Sequence, residues 1–279
     1  MILNLRIALS TGQTLAVDRY GAASAEPVVL LHGLSANRHV YDHLATDLKQ
    51  GLNSGALQLI NVDLRGHGES SHATKDAYDA KSYAADIAAL VADLVDHRPV
   101  RVLAESLGGV IGIALAHDRP DLVKGLFLED PPLFLGERTR LADSPVAGDF
   151  PETIAAVSAL QSRGAPLSDY ADLMEGVAEP DEIAVLATGL PAWDPMSMQA
   201  AMEGILWRDF EPRRRVDAPL TVVRADPEVG AAFEETDVDL LQDANPHARI
   251  VLASGASHSV RSSAPQVFAK ELARFLEIP

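Results

Sequence analysis

A chain of 279 residues, 47% hydrophobic and 23% charged, has an ordinary soluble balance and the length for one large α/β domain or for one domain carrying an insertion. Its formal net charge of −17 argues against nucleic acid and anionic membrane surfaces, which would repel it, and leaves a small molecule as the expected partner. The absence of cysteine excludes disulfides, thiolate metal sites and a cysteine nucleophile.

The first ten residues, MILNLRIALS, lack the apolar core of a signal peptide, and no run is long enough to span a bilayer. A cytoplasmic location without membrane insertion is expected. Residues 3–9 and 14–20 alternate on either side of a Ser-Thr-Gly turn and predict a hairpin. A short buried strand over 28–31 runs straight into His32-Gly33-Leu34. Helical character over 37–50 stops at Gly51, and a strand over 57–63 leads into the polar turn Leu64-Arg65-Gly66-His67-Gly68-Glu69-Ser70. Residues 83–96 carry apolar positions at helical spacing before Pro99.

Next comes the stretch around which the chain is organised. Residues 101–104 suit a buried strand, and 107–117 read as a buried helix crowded with small residues. Between them lies Ala104-Glu105-Ser106-Leu107-Gly108, a small-x-Ser-x-small turn. So tight a junction strains the backbone at the serine and crowds the residues two before and two after it, pushing Ser106 Oγ into the open at the strand's C-terminal end. The first amides of the helix are there to receive a developing anion.

A strand over 123–128 follows. Strands alternating with helices at short intervals imply a parallel sheet with right-handed crossovers. From 132 to 212 the rhythm changes to Pro-punctuated helices, at 153–162, 168–177, 181–190 and 196–206, without a convincing strand. This reads as a helical cap inserted into a core of 1–131 and 213–279. Alternation then resumes with a strand at 220–224, the segment 230–241, a strand at 249–252 and a helix over 265–276. Arg213-Arg214-Arg215, the sole basic run, reads as a solvated turn.

Four motifs in order resemble those of the α/β-hydrolase family: the strand ending in His32-Gly33, the D-x-R-G-x-G turn from Asp63 to Gly68, the elbow around Ser106, and Gly255-Ala256-Ser257-His258. The first glycine of the elbow is replaced by Ala104, and Glu105 stands where histidine is common. The resemblance spans nearly the whole chain and implies a mostly parallel sheet flanked by helices, with no cofactor.

A serine hydroxyl needs a base to take its proton, and His258, after the last strand, follows Ser106 in the order this fold uses. Acyl transfer needs two N–H donors for its oxyanion. Leu107 offers one, and the resemblance implies Leu34 as the other. The acid partner of His258 has three candidates. A gapless alignment of 120–130 with the stretch ending in the catalytic glutamate of some haloalkane dehalogenases and of the zearalenone lactonases favours Asp130, of which only one of Glu129 and Asp130 can face the histidine. Glu228 and then Asp226, after the strand at 220–224, hold the family's commoner position. Trp193, Met196, Met198, Met202 and Trp207 would line an apolar pocket or pack the cap. His39 and His43 lie at i, i+4 without the glutamate of a metalloprotease helix, so no metal is expected.

These readings lead to hydrolysis of a small, largely uncharged carboxylic ester or lactone through an acyl-serine intermediate. C–C bond hydrolysis of ring-fission products, cofactor-free haloperoxidase-like chemistry and a non-catalytic small-molecule receptor are the competing readings. Serine at 106 argues against epoxide hydrolase and dehalogenase chemistry, which need a carboxylate nucleophile.

Overall fold

The computed structural model describes residues 2–136, 141 and 148–277. Among these, eight strands form one sheet in the order β1-β2-β4-β3-β5-β6-β7-β8. They are β1 (Ile2–Ala8), β2 (Thr14–Gly21), β3 (Glu26–Leu31), β4 (Leu57–Val62), β5 (Val100–Glu105), β6 (Val123–Glu129), β7 (Leu220–Arg224) and β8 (Arg249–Leu252). The hairpin β1–β2 and the pair β2–β4 are antiparallel; every pairing from β4 through β8 is parallel. The C-terminal ends of β3, β5, β6, β7 and β8 therefore open on one edge.

The helices in chain order are α1 (Asp42–Asp47), α2 (Lys49–Asn53), α3 (Ala80–Val95), α4 (Leu107–Asp118), α5 (Phe150–Ser162), α6 (Leu167–Met174), α7 (Ile183–Gly189), α8 (Met196–Met202), α9 (Glu235–Ala244), α10 (Val260–Ser263) and α11 (Pro265–Leu276). The helix expected over 37–50 is broken into a 3₁₀ turn at Arg38–Tyr41 and two short helices that meet at Leu48. Gly51 does not end it. A Cβ there would come within 2.9 Å of Leu57 Cδ1, so this glycine answers to packing and not to a helix stop. Within the segment 230–241 a helix starts at Glu235, where Glu234 and Asp237 close a capping box. Between β6 and β7 the described residues hold helices and turns but no strand, and 137–140 and 142–147 of the expected cap lie outside them.

Strand alternation sorts the core into two clusters. Val100, Val102 and Ala104 of β5, with Leu126 and Leu128 of β6, pack with α3 and α4 in one. Leu103 and Phe127 point the other way, with Phe268 and Phe275 of α11. Phe127 is wholly buried, with its ring centroid 5.3 Å from that of Phe268 and 5.6 Å from that of Phe275. Truncating it to alanine would cost about 3–5 kcal/mol. The same alternation carries forward to the strand ends. Glu105 and Glu129, register partners in neighbouring strands, continue the face of Leu103 and Phe127.

Candidate active site

Two non-glycine residues at adjacent strand ends have left-handed backbones: Ser106 with φ 50° and Asp130 with φ 39°. Each costs on the order of 1–3 kcal/mol, which the surrounding packing must hold in place. At Ser106 the cause is the strand-to-helix junction itself: β5 ends at Glu105 and α4 begins at Leu107. Small neighbours permit the turn. A Cβ on Gly108 would fall on the carbonyl oxygen of Leu31, and one on Gly109 would lie 2.5 Å from Pro131 Cβ. Within α4 the first amide to find an acceptor is that of Gly109, bonded to Ser106 O at 2.9 Å. The amide of Leu107 therefore stays open at the helix N-terminus.

The loop after β3 is fixed by two buried histidines. His32 Nε2 accepts from the amide of Leu64 at 3.1 Å, so the ring proton sits on Nδ1 and donates to Gly33 O at 2.7 Å. Burial pushes the His32 pKa well below 6.5, in keeping with a neutral ring. His67 faces Leu34 O at 2.6 Å and Arg65 O at 2.9 Å, and its ring meets that of His32 edge-on at 4.9 Å. Asp63 holds the turn from below, accepting from the amides of Arg38 at 2.7 Å and Glu69 at 2.9 Å. Gly68 has φ 51° and leaves no room for a Cβ against that carboxylate, which explains the last glycine of the turn. Both loops thus support the carbonyl side of Leu34.

His258 stands on the loop after β8, with 36% of its side chain exposed, so one edge of the ring is reachable. Its Nδ1 lies 2.6 Å from Asp130 Oδ2. Asp130 is fully buried and also accepts from the amides of Ala225 at 3.1 Å, Ala232 at 2.7 Å and Phe233 at 3.2 Å. Burial alone would lower the pKa of His258. The hydrogen bond and charge of Asp130, with the charges of Glu105 and Glu129, outweigh it and leave the pKa raised above 6.5.

The other two acid candidates lie elsewhere. Glu228 is exposed in a 3₁₀ turn. Asp226 accepts from the amides of Glu228 at 3.0 Å and Gly255 at 2.7 Å, so it braces the loop leading to His258 and does not touch the ring. These backbone bonds lower its pKa.

The fold agrees with the comparisons. The model of the alpha/beta hydrolase family matches residues 28–271. The chain belongs to the alpha/beta hydrolase family. Its relatives include a pimeloyl-[acyl-carrier protein] methyl ester esterase of Neisseria meningitidis serogroup A, 27% identical over 91% of this chain and 78% of that protein. Another is the esterase Rv0045c of Mycobacterium tuberculosis, 28% identical over 89% of this chain and 81% of that one. Among solved structures, an E-2-(acetamidomethylene)succinate hydrolase superposes with a TM-score of 0.76 at 22% identity, covering 99% of this chain and all of that one, and shows the same fold.

The five residues expected to line an apolar pocket or pack the cap are distributed between core and surface. Trp193 and Met198 are buried in the cluster that contains Phe127, whereas Trp207 packs against the other and donates Nε1–H to Pro132 O at 3.1 Å. Met196 and Met202 belong to neither cluster. No helix among the described residues is long and apolar enough to cross a membrane. Asp18, His39 and Asp42 bring ligand atoms within 4.8 Å of one another, but Asp18 is already paired with Arg38 Nε at 3.0 Å, a cation that competes for that place.

Sequence reasoning missed a group of charges beside the site. Glu105, Glu129 and Glu182, the last at the N-terminus of α7, surround the buried guanidinium of Arg261. The signal in the sequence was partial: a glutamate ends each of two buried strands, and buried carboxylates require a cation, but only the β5–β6 register sets the two side by side.

Proposed function

We propose that the protein is a serine hydrolase that cleaves a small, largely uncharged carboxylic ester or lactone through an acyl-serine intermediate. The observation that carries this reading is the Asp130–His258 hydrogen bond, 2.6 Å long, on the sheet edge where Ser106 is held in its strained turn. Ser106 Oγ attacks the carbonyl carbon while His258 Nε2 accepts its proton. Asp130, held by three backbone amides, keeps the other proton on Nδ1 and stabilises the imidazolium that forms. The amides of Leu107 and Leu34 take the charge of the tetrahedral intermediate. His258 then gives its proton to the departing alcohol, and a water activated by the same ring releases the acid. The helices between β6 and β7 serve as the cap, and the esterase names of two relatives support this bond class.

The test is turnover on a panel of short p-nitrophenyl esters and lactones. Wild-type protein should hydrolyse members of the panel, and Ser106→Ala should lose at least about a thousandfold in kcat/KM. Equal turnover by the two proteins would remove Ser106 from this role.

A further inference from the structure

The charges around Arg261 are placed next to every part of the proposed machinery. Glu105 precedes Ser106, Glu129 precedes Asp130, and Arg261 follows His258 by three residues. Arg261 Nη1 lies 2.8 Å from Glu105 Oε2 and 3.2 Å from Glu129 Oε2, while Nη2 lies 2.5 Å from Glu182 Oε1. The backbone amide of Arg261 also donates to Glu129 Oε1 at 2.7 Å. The guanidinium stands over the ring of Tyr41, 5.5 Å from its centroid. Tyr41 in turn donates its hydroxyl to Leu31 O at 3.0 Å, immediately before His32-Gly33. The serines that flank His258 reach the same helical segment: Ser257 Oγ donates to Glu179 at 2.6 Å and Ser259 Oγ to Glu182 at 2.8 Å.

Stability does not account for such an arrangement. Three buried carboxylates about one guanidinium carry a desolvation cost that Coulomb attraction does not fully offset, and apolar residues of similar volume commonly do as well. The planar fork of arginine, however, can reach several carboxylates at once, which a lysine ammonium cannot do with fixed directions.

We infer that Arg261 is a positioning residue: by holding the ends of β5 and β6, the His258 loop and α7 in one ion cluster, it sets the placement of His258 relative to Ser106 and docks the helical segment against them. The inference rests on the serine hydrolase reading above. Displacements of about 1 Å at a reacting centre cost as much as a hundredfold in rate. The fork's Nη1 arm, which reaches both strand ends, governs the chemical step. Its Nη2 arm, through Glu182, governs how the segment over the edge receives substrate.

The test compares Arg261→Lys, Glu182→Gln and Ser106→Ala on the most reactive ester of the panel, with the rates of the first two and of the wild type expressed per site titrated by a fluorophosphonate and that of Ser106→Ala per mole of protein. Arg261→Lys keeps the charge and loses the fork, so kcat should fall about tenfold to a hundredfold with KM within about threefold. Glu182→Gln should raise KM about fivefold, with the smaller change in kcat. A purely structural cluster would lower the melting temperature and the number of titratable sites while leaving kcat and KM per site at wild-type values; that result overturns the inference. Should Arg261→Lys fail to fold, a wild-type KM in Glu182→Gln overturns it equally. An inactive Ser106→Ala beside a fully active Arg261→Lys removes the clamp alone. A fully active Ser106→Ala removes the serine reading, and the clamp with it.

Discussion

Glu129 and Asp130 are neighbours in sequence, both wholly buried, yet their surroundings treat the carboxylate in opposite ways. Asp130 turns out of the strand with φ 39° and meets three backbone amides before it meets His258. Fixed N–H dipoles stabilise its anion without any counter-ion, so its charge is available to the imidazole. Glu129, still in the strand, lies among like charges. Burial raises its pKa most, Arg261 pulls it back, and Glu105 and Glu182 push it up, to about 7. A carboxylate held by backbone amides can orient a histidine. One that shares a single guanidinium with two others serves a different purpose, holding elements in place.

The comparison breaks most visibly at Asp130. Asp130→Asn should lower kcat on the order of 10⁴, because the amide can place its NH₂ toward Nδ1 and favour the wrong tautomer. In the same assay Glu228→Gln, at an exposed position outside the site, should stay within about twofold. Reversal of these two results would move the acid to the loop after β7.

A second difference is read in pH. The proposed mechanism requires neutral His258, whose pKa is raised above 6.5 by Asp130 and the nearby glutamates against the opposing effect of burial. The kcat/KM of the wild-type enzyme should therefore rise with pH through a midpoint above 6.5, tenfold per pH unit on its acid side. A midpoint at or below 6.5 would show that the ring does not feel Asp130 as described.

The smallest effect concerns stability. Burial and the charges of Glu105 and Glu182 raise the pKa of Glu129 to about 7 from its ordinary 4.5, against the pull of Arg261. Between those values the folded state binds more protons than the unfolded chain, so stability falls as pH rises, by at most about 1.4 kcal/mol per pH unit. Glu129→Gln, which mimics the neutral carboxyl, should flatten that fall in urea titrations at pH 5, 6 and 7. An unchanged slope would place the proton elsewhere in the cluster.

Much of this was legible in the chain. The parallel sheet, the elbow and the histidine after the last strand all follow from local patterns: alternation, small residues at a tight turn, and motif order. The acid was legible only as a choice among Asp130, Glu228 and Asp226, because which carboxylate meets His258 depends on long-range placement that sequence does not display; the structure sets Asp130 Oδ2 2.6 Å from its Nδ1. The Arg261 cluster was hidden for a related reason. Glu105, Glu129, Glu182 and Arg261 are far apart in the chain, and only the β5–β6 register brings the first two side by side. For Trp193, Met196, Met198, Met202 and Trp207 the sequence left lining a pocket and packing the cap as alternatives, because helical spacing shows that a side chain is apolar but not which of two cores receives it. Gly51 misled: a glycine at a helix end usually stops it, whereas here Leu57 requires the space.

The central claim, that Ser106 is the activated nucleophile of this edge, is tested most directly by intact-protein mass spectrometry after treatment with a fluorophosphonate. The account predicts a single adduct on the wild-type chain, mapped to the peptide containing Ser106, and no adduct on Ser106→Ala. Stoichiometric labelling of Ser106→Ala, or an adduct mapped to another serine, would contradict it.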